Sequence, residues 1–298
     1  MHPHVFAEET PEKTAIIIAE TGETLTYRGL EALSNRVAQL IRAHGLKRGD
    51  VVALMMENSL EFIPICWGAQ RSGIVFTAMS TKLGLDEAQY ILTDSGARML
   101  FASPGLADIA ARLEVPGPRF AVGGVIPGFE DFGAAIAAMP DTRIADESQG
   151  RDMLYSSGTT GRPKGVIGPL PEGPLDEVSP LFMISKMLYG FDADMIYLSP
   201  APLYHAAPLR YSMSVHRAGG TLIVMKKFDP ERYLALVEQY GITHTQVVPT
   251  MFVRMLKLPD DIRARHDLSS LRVAIHAAAP CPVEVKRRMI DWWGETIY

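Results

Sequence analysis

The sequence predicts an α/β fold built on mostly parallel sheets. Short apolar segments alternate with amphipathic segments along most of the chain, as expected for strands that are connected by helices. Glycine follows several of the amphipathic segments, at the position where a helix commonly ends. The 298 residues are enough for one large domain or two ordinary ones, and a composition that is 47% hydrophobic supports a sizeable core.

The N-terminal half contains the clearest elements. Its short apolar segments predict strands at 15–19, 24–27, 51–55, 74–77 and 98–102. Its amphipathic segments predict helices at 27–44, 58–72 and 86–93. Pro and Gly accumulate between 115 and 150, which favours a surface excursion in that region.

The same alternation returns in the C-terminal half. Strands are predicted at 196–198, 221–224, 244–248 and 271–276. A helix is predicted at 230–240, where Gly241 would end it. Residues 168–180 contain four Pro and two Gly, so we expect a loop there.

Composition excludes several classes of function. The formal net charge is −5 and basic residues form only short runs, so nucleic-acid binding is not expected. Two cysteines cannot form a disulfide framework and fit a reducing cytosol. The chain lacks a signal-peptide pattern and an apolar run of the ~18 residues that a transmembrane helix needs. We therefore expect a cytoplasmic protein with a small-molecule substrate, and the sequence leaves a homodimer open.

Residues 155–165, YSSGTTGRPKG, form the segment most typical of a binding site. Glycine lets a ligand approach the backbone closely, and successive amide groups can form an anion-binding nest. Lys164 adds a positive charge at the far end of the segment. The hydroxyl donors are Ser156, Ser157, Thr159 and Thr160. This combination favours binding of a polyphosphate, and the alternative is an ordinary flexible surface loop.

The segment is not a Walker A loop. In that motif, Gly-Lys-Ser/Thr opens a helix, whereas here Gly161 is followed by Arg-Pro. Gly165 and the β-branched residues after Lys164 favour a strand, so the loop is predicted to form the tip of a hairpin. A phosphotransferase is weakly supported for the same reason, and a serine hydrolase has no Gly-x-Ser-x-Gly motif to support it.

The stretch YSSGTTGRPKGV closely resembles the phosphate-loop motif of the adenylate-forming superfamily. That superfamily includes acyl-CoA synthetases (AMP-dependent synthetases and ligases), aryl-CoA ligases, luciferases and the adenylation domains of peptide synthetases. Further segments that resemble the family lie in order at 26–30, 49–52, 57–59, 202–205, 248–250 and 277–280. The resemblance spans essentially the whole chain and covers the N-terminal portion of such enzymes.

The resemblance implies two layered α/β subdomains, as in the large N-terminal domain of the family. Residues 51–189 would form the first and end in the phosphate-loop hairpin, and 1–50 with 190–298 would form the second, on the acyl and adenine side. In the family, a Thr-Glu motif, a ribose-binding Asp and a mobile C-terminal domain follow. These are absent here, so we expect a truncated portion that binds nucleotide weakly and catalyses poorly alone.

The implied reaction uses ATP, Mg²⁺ and coenzyme A to convert a carboxylic acid to an acyl-adenylate and then to a thioester. By resemblance, the catalytic residues are Thr160, Lys164 and His205. The implied nucleotide-binding residues are Ser156, Ser157, Gly158, Thr159, Thr160, Gly161, Lys164, Ala278, Ala279 and Pro280. The implied acyl-binding residues are His205, Met213, Val248 and Thr250. For His205, a hydrogen-bonded polar residue near the core is the alternative.

The sequence narrows the class of carboxylic acid that the protein is expected to use. Residues 205–220 contain no Asp or Glu to pair with a substrate ammonium group, which argues against an α-amino acid. Ala206, Ala207, Met213 and Met251 favour a roomy apolar pocket, compatible with a fatty, aryl or terpenoid acid. The second reading is a non-catalytic nucleotide- or acyl-binding protein derived from such an enzyme, and carboxylate-dependent turnover would separate the two.

Overall fold

The computed structural model describes residues 2–156 and 162–298. Its strands are β1 Thr14–Ile18, β2 Thr24–Thr26, β3 Val51–Met55, β4 Val75–Ala78, β5 Ala97–Ala102, β6 Arg119–Ala121, β7 Glu130–Asp131, β8 Arg151–Asp152, β9 Leu154–Ser156, β10 Lys164–Val166, β11 Ile196–Ser199, β12 Thr221–Val224, β13 His244–Val247 and β14 Val273–His276. Its helices are α1 His4–Glu9, α2 Tyr27–Ala43, α3 Phe62–Arg71, α4 Leu85–Ser95, α5 Ala107–Ala110, α6 Phe132–Ala137, α7 Pro180–Tyr189, α8 Ala206–Ala218, α9 Pro230–Tyr240, α10 Pro249–Leu256, α11 Asp260–Arg263 and α12 Val283–Trp293.

The chain divides into two compact units. Of the described residues, the first unit contains 2–9, 28–156, 162–177 and Leu203–His205. Its main sheet has the order β7-β6-β5-β3-β4-β8, and every neighbouring pair is parallel. Strands buried on both faces need continuous apolar runs, and VVALM and VFTA accordingly form two adjacent inner strands, β3 and β4.

The second unit contains Thr10–Tyr27, Val178–Pro202 and Ala206–Tyr298. Its sheet has the order β14-β13-β11-β12-β1-β2, in which only the β1–β2 pair is antiparallel among the described strands. Helices α9, α10 and α12 contribute a large apolar cluster to this unit, together with residues of the sheet. Both units are therefore α/β layers with mostly parallel sheets, which confirms the predicted fold class.

The boundary between the units differs from the predicted one. We expected residues 1–50 to belong with 190–298, but α2 packs within the first unit after Tyr27. The reason is close packing between α2 and α3: a Cβ atom at Gly68 would lie 2.5 Å from Cβ of Val37. Arg71 of α3 also forms an ion pair with Glu31 of α2 over 2.8 Å. Only the strands β1 and β2 of the N-terminal segment join the second sheet.

Most predicted strands are confirmed within a residue or two, whereas the segment 115–150 was misjudged. It was expected to be a surface excursion, yet β6 extends the first sheet beside β5. Phe120 of β6 is fully buried, and its ring stacks on that of Phe101 at 5.6 Å. Pro and Gly set the turns of this segment, but pairing with β5 places its few large apolar side chains in the core.

Candidate active site

The predicted phosphate-loop hairpin is present. Strands β9 and β10 pair antiparallel, with Ser156 opposite Lys164 and Tyr155 opposite Gly165. The side chains of Ser156 and Lys164 are exposed at the end of the hairpin, where a hydroxyl group and an ammonium group face solvent together. These are donors that suit an anionic ligand such as a phosphate. The predicted residues Ser157, Gly158, Thr159, Thr160 and Gly161 lie outside the described residues.

Gly165 lies directly beneath the side chains of Met153 and Tyr155. A Cβ atom at Gly165 would lie 3.0 Å from Cζ and 3.1 Å from Oη of Tyr155, and 2.6 Å from Cε of Met153. The ring of Tyr155 therefore lies across the opposing strand, and a larger residue at 165 would require Met153 and Tyr155 to shift. The glycine of the Pro-Lys-Gly exit thus has a packing role that the sequence did not reveal.

His205 also lies in the first unit, in the short segment Leu203–His205. The Leu203 backbone N–H donates to Oδ1 of Asn58 over 2.8 Å in a buried hydrogen bond. The ring centroids of Tyr204 and His205 are 4.4 Å apart. His205 is exposed, yet partial desolvation of its ring and, to a smaller extent, the nearby Lys82 lower the pKa of the imidazole. The imidazole is therefore neutral at pH 7 and able to accept a proton.

The remaining predicted residues lie in the second unit. Val248 follows β13 directly and precedes α10, and Thr250 is exposed in the first turn of that helix. Met213 is half-buried on α8. Residues 278–280 are exposed directly after β14.

The sheet register brings two of these groups to the same edge. Val247 of β13 is opposite His276 of β14, and the Ala277 N–H donates to the Val247 carbonyl over 3.2 Å. Val248 and Ala278 therefore both follow the carboxyl ends of adjacent parallel strands. In open α/β sheets, ligands bind outside this edge.

The turn after β14 carries backbone strain. Ala278 has φ 75°, which makes it the one non-glycine residue with positive φ in the described part of the chain. L-amino acids with a Cβ atom are disfavoured in this region, and such strain is concentrated at functional sites. The predicted adenine-side turn thus has the backbone conformation of a glycine turn with alanine in place.

His276, the last residue of β14, was not among the predicted site residues. Its Nδ1 atom is buried and has no hydrogen-bond partner among the described residues. Burial and, secondarily, Lys286 lower the pKa of His276. A neutral imidazole with a buried nitrogen that lacks a partner is a candidate contact for a ligand at this edge. The only sequence signal was its position at the end of a predicted strand.

The described residues include neither a cluster of metal ligands nor a membrane-spanning helix. In residues 2–156 and 162–298 no three His, Cys, Asp or Glu side chains come together as metal ligands. Among the described helices, none combines the length and apolarity needed to cross a membrane.

Comparison with known proteins gives a consistent result. A family model described as AMP-binding enzyme matches residues 4–298. The chain is 31% identical over 300 residues to 4-coumarate–CoA ligase 5 of Oryza sativa subsp. japonica, covering 96% of this chain and 54% of that protein. It is 31% identical over 287 residues to the long-chain-fatty-acid–CoA ligase FadD13 of Mycobacterium tuberculosis, covering 93% of this chain and 54% of that protein.

Solved structures agree on the architecture. The ATP-bound crystal structure of MatB from Rhodopseudomonas palustris superposes with a TM-score of 0.79 at 27% identity, covering 100% of this chain and 59% of that one. The chain thus spans about half the length of the curated relatives that it matches.

Proposed function

The chain belongs to the family of AMP-binding enzymes, and from that premise we propose that it forms the activating half of an acyl-CoA synthetase. The observation that carries the proposal is the β9–β10 hairpin, which places Ser156 opposite Lys164 on either side of the phosphate-loop motif. The complete reaction joins a carboxylic acid to coenzyme A at the expense of ATP, with Mg²⁺ as the counterion of the triphosphate.

The proposed reaction proceeds in two steps. A carboxylate oxygen of the acid attacks the α-phosphorus of ATP, and pyrophosphate leaves. The thiol of coenzyme A then attacks the acyl carbon, loses its proton, and displaces AMP. Both steps concentrate negative charge on oxygen, so fixed donors and positive charge provide most of the stabilisation.

The residues of this chain have distinct roles in the proposal. Lys164 and the hydroxyl groups of Thr159 and Thr160 bind the β- and γ-phosphates, and the turn at 278–280 borders the adenine. His205, neutral at pH 7 because its pKa is lowered, lies on the acyl side and is suited to accept the proton of the thiol. The remaining loop donors at 156–158 and Gly161 complete the phosphate contacts.

The acid is proposed to be apolar, either aryl or fatty. Helix α8, which carries Met213, contains no acidic side chain that could pair with the ammonium group of an amino acid. Val248 and Thr250 complete the acyl side of the proposed pocket. The two relatives named above act on an aryl acid and on long-chain fatty acids according to their names, which supports both classes.

ATP–pyrophosphate exchange tests the proposal. The 298-residue chain is assayed with a panel of fatty and aryl acids, with and without the substitutions Lys164→Ala and Thr160→Ala. Acid-dependent exchange that falls at least about 100-fold in the double variant supports adenylation, since one lost transition-state donor costs that much elsewhere. Lys257→Ala, which removes an exposed lysine in the second unit, is the matched control.

Two results would contradict the proposal. Exchange that is the same in the parent and the double variant would show that the loop does not act on phosphate. Binding of ATP without exchange, in this chain and in any longer chain that contains it, would favour the non-catalytic nucleotide-binding reading.

A further inference from the structure

The phosphate-loop hairpin is fastened to α4 at its N-terminal stem. The Tyr155 hydroxyl of β9 donates to Oδ2 of Asp94 over 2.6 Å, across 61 residues of sequence. Burial and the Asp94 hydrogen bond raise the pKa of Tyr155, so its hydroxyl keeps its proton and remains a donor. Hydrogen bonds to an ionised acceptor are about twice as strong as neutral ones.

The C-terminal stem reaches the same helix by a different contact. The Arg162 guanidinium lies over the ring of Tyr90, with Cζ 5.0 Å from the centroid. The Tyr90 hydroxyl in turn donates to Oδ1 of Asp94 over 3.2 Å. The two carboxylate oxygens of Asp94 thus each accept from one tyrosine, and each tyrosine serves one stem of the hairpin.

Helix α4 is itself fixed in the first unit. Ala88, Ile91 and Leu92 belong to the apolar cluster beneath it. Its N-terminus is closed by Glu87, whose carboxylate accepts from the Gly84 N–H over 3.0 Å, and its C-terminus ends at Gly96 with φ 69°. The contacts of the hairpin with α4 therefore connect the hairpin to the apolar core of the first unit.

From these contacts we infer that Asp94 is a positioning residue for ATP binding. It holds Tyr155 and Tyr90, and through them the two stems, so that the paired residues Ser156 and Lys164 are kept in position for the triphosphate. The inference rests on the proposed function, because it concerns the ligand of the same loop. Fixing the stem residues before the ligand arrives removes part of the entropic cost of binding.

If Asp94 acted only through its negative charge, the opposite change in ATP affinity would be expected. An exposed carboxylate near a loop that binds triphosphate repels the ligand, so its removal alone should strengthen ATP binding. If Asp94 positions the loop, its removal should weaken ATP binding instead. The sign of the change in the ATP dissociation constant therefore separates the two roles.

The experiment measures ATP affinity and backbone hydrogen exchange in the 298-residue chain. Asp94→Ala removes both hydrogen bonds, and Tyr155→Phe removes one without changing charge. We expect each variant to raise the ATP dissociation constant by about fivefold, equivalent to roughly one lost hydrogen bond. We also expect faster exchange of the hairpin amides without nucleotide. Asp108→Ala, which removes an exposed acidic residue elsewhere in the first unit, should change neither.

Every result of this experiment either supports or contradicts the positioning role of Asp94. Tighter ATP binding in Asp94→Ala, or unchanged hairpin exchange in both variants, would overturn it. Faster hairpin exchange with unchanged ATP affinity would also overturn it, because the contacts would then be only structural. If the parent chain does not bind ATP, the proposed function fails for this chain. The claim that Asp94 promotes ATP binding then fails with it. The exchange rates without nucleotide still decide whether α4 holds the hairpin.

Discussion

Nε of Arg71 donates to a carboxylate oxygen of Glu147 over 2.8 Å, although the Arg71 side chain is fully buried. The same guanidinium donates to Glu31 over 2.8 Å and to Oγ of Ser34 over 2.9 Å. One cation therefore joins α2, α3 and the segment that leads to the phosphate-loop hairpin. Loss of one member of such a buried network leaves charges without compensation.

We expect Arg71→Ala to lower the free energy of unfolding of the first unit by about 3–5 kcal/mol. The measurement is the urea dependence of hydrogen exchange at the α3 amides, which reports on this unit alone. Arg143→Ala is the control, because Arg143 also binds Glu147 but its side chain is 45% exposed. It should cost about 1 kcal/mol or less. Equal losses in the two variants would contradict a special role for the buried cation.

The sequence predicted those parts of the fold that depend on local pattern. Continuous apolar runs such as residues 51–55 correspond to buried parallel strands because both faces are covered by helices. The β9–β10 hairpin was predicted correctly from Gly165 and the β-branched residues after it. Phe120 was missed, because its burial comes from pairing with β5 and its neighbourhood is rich in Pro and Gly.

The residues that support the candidate site could not be predicted in the same way. Asp94 and Tyr155 are 61 residues apart in sequence, and Asn58 and Leu203 are 145 apart. No local spacing connects such partners, so the sequence did not show that these residues meet, although three of the four lie in segments that resemble the family. The motif predicts a phosphate ligand for residues 155–165, whereas the contacts of Tyr155 and Arg162 with α4 emerged only with the tertiary structure.

Asn58 is expected to control the position of His205. Asn58→Ala leaves the buried Leu203 N–H without its acceptor, which should cost about 1–3 kcal/mol of stability. The looser segment should weaken the partial desolvation and the influence of Lys82 that lower the pKa of His205, so that this pKa moves back toward 6.5, as followed by NMR titration of the imidazole.

Ser59→Ala is the neighbouring control for Asn58→Ala. Oγ of Ser59 is buried and has no hydrogen-bond partner among the described residues. Its removal should leave stability unchanged or slightly higher, since an unsatisfied polar group is lost. A His205 pKa that stays the same in Asn58→Ala would show that this hydrogen bond does not position the imidazole.

Ala278→Gly should stabilise the second unit slightly. The φ of 75° at Ala278 costs about 1 kcal/mol or more for a residue with a Cβ atom, and glycine removes that cost. The greater freedom of glycine in the unfolded chain offsets part of the gain, so the expected net change is about +0.5 kcal/mol. Ala279→Gly has no positive φ to relieve and should instead lose about 0.5–1 kcal/mol. Changes of the same sign at both positions, measured by urea unfolding, would contradict the assigned strain.

Stability of the second unit should fall with acid because of His216. Nε2 of this fully buried ring lies 3.0 Å from the Ala15 carbonyl oxygen, so the neutral ring donates there. Burial lowers the pKa of His216 from 6.5 to about 4. Between these values the unfolded chain binds a proton that the folded chain does not. The free energy of unfolding therefore rises with pH across this window and is constant above it.

The control for that titration is His216→Gln, whose amide can still donate to Ala15 but does not titrate. Between pH 7 and pH 5 the parent should lose about 2 kcal/mol more than this variant, as measured by hydrogen exchange at the β12 amides. His205, His244 and His276 also have lowered pKa values, but they are present in both proteins and cancel in the difference. Equal losses in parent and variant would mean that His216 is not the buried neutral group that its surroundings indicate.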